Sequence, residues 1–425
     1  MKILVLSNLY PPDVIGGYEL GCRQAVDSLR ALGHEVRVLT TAPRVPVAPQ
    51  SHVRRTMRLV DAWSDYHFKS NAVVTNLLEQ GESLRVNAFN IHALLAELDD
   101  FRPDVVYVWM LVGVGGLGLM ACLHHLRVPW VWHLMDDVPL MLCRSGGRLV
   151  PTFAREFNRQ LKGSYIACST QLVDEIEDGG ITLSDRVVVV PNWIDGPARP
   201  ARAEYLRGGT LRIVTAAGLI DRQVDKGIDI LIEAASRLRE RGHDCFTVEV
   251  YGRSTDGYAA HLIHRFGLES HVFLRGSLSQ SELSERFEQA DVFAFPTRAR
   301  EPFGFAPLEA AARGCVPIIS QTCGLAEWFV HGVHLLKSER TAEGFAKVFA
   351  AILEGAIDLS SIGRRAAGVV RREFHLDAIA PKICEVLEDA AGRPRTGAGT
   401  ASEAYRLARL AEKLSHVLIQ ESLCA

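Results

Sequence analysis

The sequence lacks any Cys-x-x-Cys pair, any sizeable charge excess and any leader-like start. The nine cysteines (22, 122, 143, 168, 245, 315, 323, 384 and 424) are odd in number and scattered, most of them inside apolar runs. That is the usage of reduced core residues in a reducing cytoplasm, and it argues against a disulfide framework or a zinc site. A formal charge of −3 gives no reason to expect nucleic acid as a partner. MKILVLSNLYPP carries one Lys and too short an apolar run for a signal segment, and it reads as a first β-strand. Residues 105–123, VVYVWMLVGVGGLGLMACL, are uncharged and approach spanning length. Four glycines within 113–118 make them a buried strand, a turn and a buried helix instead, so no transmembrane segment is expected.

What is present is alternation. At 425 residues, two domains are the natural prior. Apolar, β-rich runs at 2–7, 35–40, 104–110, 129–134, 164–168 and 187–191 are separated by helical patterns near 17–32, 87–98, 116–126, 151–161 and 169–178. Near-continuous apolar strands followed by helices predict a parallel, doubly wound sheet. The segment 197–210, PARPARAEYLRGGT, has no apolar period and reads as a linker after a domain of 1–196. Strands at 211–217, 246–251, 271–275, 291–296 and 315–320 then restart the pattern in a second α/β domain, 211–375. Its helices lie near 226–241, 257–266, 280–289, 305–313, 341–354 and 360–373. A closing helix over 376–391 precedes a flexible-looking stretch and an amphipathic helix over 403–421, within 392–425. Packing of that last helix on its own chain is preferred to a dimer or membrane-surface contact, which Arg406, Arg409 and Lys413 leave open. Residues 44–86 interrupt the alternation with Arg54, Arg55, Arg58, Trp63 and Tyr66; a lid and an acceptor-binding insertion are equally good readings.

The chemistry concentrates in 298–327, RAREPFGFAPLEAAARGCVPIISQTCGLAE. Glu301 and Glu309 stand eight positions apart, and Pro302, Gly304 and Pro307 make a helix through Glu301 unfavourable. A loop holding Glu301 and a helix starting near Phe305 follow, with Gly314 ending the helix and 315–320 the next strand. Amides around Phe303, Gly304 and Phe305 then point out of a helix N-terminus, which attracts anions. A loop acid, a set of amides and a helical acid suit a polyol, a phosphate and a second polyol. A nucleotide sugar has these three parts. Lys226, at a helix start after Gly218, opposes the helix dipole unless it shares an anion with that end. Gly16 and Gly17 allow close approach between the first strand and its helix. GGYELG, 16–21, lacks dinucleotide-fingerprint spacing, which weakens a dinucleotide oxidoreductase as a competing reading.

Together the Glu-x7-Glu element, the preceding ADVFAFPT (290–297) and LYPPDVIGGYE (9–19) resemble retaining glycosyltransferase family 4 over residues 1–391. The resemblance implies a GT-B fold, two Rossmann-like sheets facing a central cleft. It also implies transfer of a sugar from a nucleoside diphosphate sugar to an acceptor hydroxyl, with retention of configuration. It places Glu301 on hydroxyls of the donor sugar, Glu309 on the ribose and Lys226 on the diphosphate. The Arg usual after the glycine is Leu219 here, and Arg222 stands as its substitute. Gly252 and Arg275 would border the nucleobase. His133, in VWHLMDDVPL, is a catalytic candidate if its side chain reaches the cleft, although Met135 occupies the family's His position and a core histidine is the rival reading. Asn192, Asp195 and Glu327 match further family positions. No Asp-x-Asp occurs, so no metal and no separate cofactor are expected. Competing readings are a degenerate sugar-nucleotide-binding protein and a nucleotide-sugar epimerase. Nucleobase, sugar, acceptor (polysaccharide, glycolipid or secondary metabolite) and oligomeric state stay open.

Overall fold

The computed structural model describes residues 1–60, 84–145, 148–161, 163–183, 186–196, 204–221, 226–297 and 300–393. Arg222, Trp63, Tyr66, the first half of the expected linker and the 403–421 helix lie outside these residues. The chain divides into two compact units: an N-terminal one, Met1–Val190 with the chain from Ala380, and a C-terminal one, Pro191–Ile379.

The N-terminal unit holds strands β1 (Lys2–Leu6), β2 (Glu35–Thr41), β3 (Val53–Met57), β4 (Val105–Val108) and β5 (Trp130–Leu134). A small hairpin, β6 (Arg144–Ser145) and β7 (Arg148–Leu149), precedes β8 (Ser164–Ala167) and β9 (Val187–Val189). Its helices are α1 (Gly17–Ala31), α2 (Ala88–Phe101), α3 (Gly116–His125), α4 (Val138–Leu142), α5 (Pro151–Gln160) and α6 (Thr170–Asp178). The main sheet runs β3-β2-β1-β4-β5-β8-β9, every pairing parallel. Ile3 to Leu6 and Val105 to Val108 are fully buried. Both faces of these strands are covered, which is why they read as unbroken apolar runs. The 105–123 stretch becomes β4, a turn and α3, and no helix among the described residues is long and apolar enough to cross a membrane.

The interruption at 44–86 proves to be partly sheet, since Val53–Met57 add a parallel edge strand beside β2. Its arginines work locally. Arg55 donates to the carbonyls of Tyr10 and Pro11 at 3.3 and 2.5 Å, and the Arg58 guanidinium lies 4.0 Å from the Phe89 ring centre. Asn90 on α2 fastens the end of this segment: Oδ1 accepts from the Arg58 amide at 2.7 Å, and Nδ2 donates to Arg58 O and Val114 O at 2.8 and 3.0 Å. The residue is fully buried. Asn90→Ala would remove the partner of three main-chain groups, of which Val114 O is buried, and it is expected to lower unfolding free energy by about 1–3 kcal/mol in urea denaturation.

The C-terminal unit repeats the plan with β10 (Leu211–Leu219), β11 (Phe246–Arg253), β12 (Val272–Gly276), β13 (Val292–Phe295), β14 (Val316–Ser320) and a short β15 (Leu336–Ser338). Helices α7 (Ile228–Glu240), α8 (Tyr258–Arg265), α9 (Gln280–Gln289), α10 (Phe305–Ala312), α11 (Ala342–Leu353) and α12 (Leu359–Glu373) flank it. The order is β12-β11-β10-β13-β14-β15, again all parallel. Its core joins Leu231, Ala235 and Leu238 of α7 to Phe345, Phe349 and Ile352 of α11 over Val248, Val292 and Ile318. Helix α13 (Leu376–Ala391) begins in this unit and continues into the N-terminal one.

Candidate active site

In a doubly wound sheet the crevice for ligands opens where the strand order reverses, outside the carboxyl ends of the strands. In the C-terminal sheet that point lies between β10 and β13, which pair at Ile213–Val292 although α7, β11, α8, β12 and α9 intervene in sequence. Lys226 comes from the connection after β10, and Glu301 from the connection after β13. Their side chains meet there, Lys226 Nζ to Glu301 Oε2 at 2.8 Å. The lysine side chain is 35% exposed and the glutamate 15%, so the pair is screened from water on one side only.

Two local devices hold this pair. Gly227, the residue before α7, has φ +68°, and a Cβ there would stand 1.8 Å from Pro296 O. Only a glycine lets the Lys226 connection lie this close to the end of β13. Glu301 bridges to Cys323 in parallel register, and its carbonyl accepts from the Gly324 amide at 2.8 Å. The next turn of the loop is tied likewise, with Phe303 O accepting from the Leu325 amide at 2.8 Å and the Cys323 thiol at 3.0 Å. Burial above all, with the nearby Glu301 charge second, pushes that thiol far up, so Cys323 serves as a neutral donor.

Helix α10 begins at Phe305 as its sequence predicts, after Gly304 at φ +102°. Phe303 is 1% exposed and its ring lies 6.3 Å from Phe305 and 6.5 Å from Phe374, so only its main chain is available to a ligand. The amides of Phe305 and Ala306 stand in the positive first turn of the helix. Glu309 follows in the second turn, about 6 Å along the axis from Phe305. Desolvation raises its carboxyl above the ordinary value, opposed by the Gln280 amide that donates to Oε1 at 3.2 Å. A desolvated carboxylate gains most from hydroxyl donors, which return the hydrogen bonds that water no longer supplies.

The other residues singled out in sequence divide. Gly252, one residue before the end of β11, has φ +149°, and a Cβ would stand 2.4 Å from Ala217 O, so its glycine serves the approach of β11 to β10. Arg275 is held by Glu249, with Nη2 2.8 Å from Oε1, and Tyr251 donates to the same carboxylate at 2.6 Å. In the N-terminal unit, Gly16 and Gly17 start α1, and the Glu19 carboxylate accepts from the Ile15 and Gly16 amides at 3.0 and 2.9 Å. Nothing lies within 4 Å of the space a Gly16 Cβ would take. His133 corrects its expectation. It is fully buried on β5, stacked 4.5 Å from Trp109, with Nδ1 2.5 Å from the Tyr107 hydroxyl. Burial pushes it down to about 3, so it is a neutral core imidazole with no surface from which to reach substrate. Met135 is buried beside it in sequence, its amide donating to the Tyr18 hydroxyl. Asn192 is buried, and Glu327 is exposed at the end of a short turn, Gly324–Glu327.

Two features escaped sequence reading. GVGGLG, 113–118, does spell Gly-x-Gly-x-x-Gly after a strand and at a helix start. The space beside it is taken by chain: a Cβ would meet Asn87 N at 2.3 Å from Gly115, Leu111 Cβ at 2.5 Å from Gly116 and Arg85 O at 3.1 Å from Gly118. These glycines serve packing, and a pyrophosphate has no room at them. Asp221, two residues beyond Leu219, is also buried and accepts from the Thr255 amide at 2.6 Å, the Thr255 hydroxyl and the Asp256 amide at 3.3 Å. Burial acts to raise its carboxyl, but these hydrogen bonds outweigh it and leave the group below its ordinary value. Asp221 thereby joins the connections that follow β10 and β11. A lone Asp in a loop gives no sign of this partner 34 residues away.

Residues 16–193 match the glycosyl transferase 4-like domain, and residues 201–368 match glycosyl transferases group 1. The chain is 27% identical over 415 residues to the glycogen synthase of Mycobacterium tuberculosis, covering 91% of this chain and 94% of that protein. It is 30% identical over 211 residues to a GDP-mannose-dependent α-(1-6)-phosphatidylinositol monomannoside mannosyltransferase from the same species, 46% of this chain and 53% of that protein. In fold it resembles Anabaena HepE solved with UDP, at TM-score 0.66 and 18% identity, over 92% of this chain and 100% of that one.

Proposed function

Because the chain belongs to glycosyltransferase family 4, with the GT-B fold, we propose that it moves a hexose-like sugar from a nucleoside diphosphate sugar to an acceptor hydroxyl with retention of configuration. The observation that carries this reading is the Lys226–Glu301 pair at the switch point of the C-terminal sheet, beside the start of α10. Lys226 takes the pyrophosphate, assisted by the amides at Phe305 and Ala306. Glu301 and Glu309, each with two acceptor oxygens, suit vicinal diols on the sugar and the ribose. Gly252 and Arg275 border the base from the ends of β11 and β12.

Transfer breaks the bond between the anomeric carbon and the phosphate oxygen, and the departing diphosphate carries the electron pair. A lysine and helix amides fixed at that oxygen stabilise the charge as it develops. Retention follows a front-face route: the acceptor oxygen bonds to the anomeric carbon on the side the phosphate leaves, and its proton passes to the departing phosphate oxygen. Glu301 and Glu309 bind hydroxyls in this scheme and neither attacks. Charge neutralisation by Lys226 and the amides makes the reaction metal-independent. The relatives named above are transferases, which does not favour an epimerase or a degenerate binding protein.

The reading makes Glu309 a binding group only. Glu309→Gln is expected to raise the Kd for the preferred nucleoside diphosphate roughly 5- to 30-fold, the equivalent of about 1–2 kcal/mol. Calorimetric titration with UDP, GDP and ADP checks this, and an unchanged Kd would remove Glu309 from the ribose site.

A further inference from the structure

A cluster remote in sequence from these motifs brings together His34, in the turn between α1 and β2, with Cys384 and Glu388 of α13. All three belong to the N-terminal unit. Cys384 and Glu388 are four apart on a helix and therefore share one face. His34 Nε2 lies 3.1 Å from Cys384 Sγ, and Cys384 Sγ lies 3.5 Å from Glu388 Oε1. One ligand atom from each residue falls within 4.8 Å of the others. With metal–nitrogen and metal–oxygen bonds of about 2.0–2.1 Å and a metal–sulfur bond of about 2.3 Å, the edges of a tetrahedron round zinc are about 3.5 Å. The Cys384–Glu388 edge has this length and the His34–Cys384 edge is slightly shorter.

We propose that His34, Cys384 and Glu388 form a zinc-binding site with an open fourth position for water, clasping the C-terminal helix to the first βα unit. The donor set, one imidazole, one thiolate and one carboxylate, suits a borderline-soft divalent cation and not magnesium or calcium. The other ring nitrogen, Nδ1, stands 3.4 Å from the Met1 amino group. Binding displaces the thiol proton to solvent as the sulfur–metal bond forms. The role is structural and independent of sugar transfer.

The test uses the full chain, stripped with a chelating resin and titrated with cobalt(II), then with zinc in competition. The wild type is expected to develop a near-ultraviolet thiolate-to-cobalt band that saturates at one equivalent and is abolished by zinc. Cys384→Ser is expected to lose the band, and His34→Ala to keep its circular dichroism but raise the Kd at least about 10-fold, the weakening expected from one lost ligand. Glu388→Gln, at an exposed position, is expected to retain the band with weakened affinity. No band in the wild type, or one that survives Cys384→Ser, would overturn the proposal; so would full affinity in both His34→Ala and Glu388→Gln.

Discussion

Lys226→Ala is expected to lower kcat/KM for sugar transfer by about 10²–10³-fold, the scale of one fixed electrostatic contact to charge that develops in the transition state. The protein should stay folded, because the lysine is 35% exposed and an ion pair at that exposure contributes little to stability. The loss should fall on kcat as well as KM, since the negative charge on the diphosphate grows as the glycosidic bond breaks. Lys226→Arg should recover part of the activity, limited by a larger, planar head in a site shaped for a compact one. Steady-state kinetics with the preferred donor, alongside circular dichroism, separates these outcomes. Activity within about threefold of wild type would show that the developing charge is met elsewhere, for a tenfold effect needs only 1.4 kcal/mol.

Gly227→Ala tests how the lysine is held in place. Two penalties combine there: a left-handed backbone at φ +68°, and a Cβ placed 1.8 Å from Pro296 O. A main-chain carbonyl at the end of a central strand cannot swing aside as a side-chain tip can. The expected loss is about 3 kcal/mol or more in urea denaturation, accompanied by loss of donor binding as the Lys226 connection lifts from β13. Gly242, just past the end of α7, provides the comparison. It shares the left-handed backbone, φ +86°, but nothing lies within 4 Å of its Cβ direction. Gly242→Ala should cost only about 1–2 kcal/mol, the backbone penalty alone. Equal losses at the two positions would mean that the approach to Pro296 does not constrain the loop.

The fold was legible because both sheets are covered on both faces. Strands such as Ile3–Leu6 and Val292–Phe295 then announce themselves as apolar runs, and helices such as Ile228–Glu240 by their period. Short elements escaped for the converse reason. Leu336–Ser338 and Val53–Met57 lie at sheet edges, where the runs are short or broken by polar residues. In the candidate site, Pro302, Gly304 and Pro307 restrict the backbone so strongly that the loop after β13 and the start of α10 followed from residue type alone. His133 misled because strand alternation gives a residue's face but not its depth, and its depth depends on Tyr107 of β4 and Trp109 just past that strand's end. The His34–Cys384–Glu388 cluster was invisible for the same reason. Its ligands are 350 residues apart and meet only because α13 returns to the N-terminal unit.

A crystal structure of the full chain soaked with its preferred nucleoside diphosphate sugar measures the central claim directly. The account predicts a pyrophosphate oxygen within hydrogen-bond distance of Lys226 Nζ and of the amides that open α10, with the ribose diol on Glu309 and sugar hydroxyls on Glu301. A nucleotide bound elsewhere, with the Lys226–Glu301 pair intact and no ligand atom touching either residue, would contradict it.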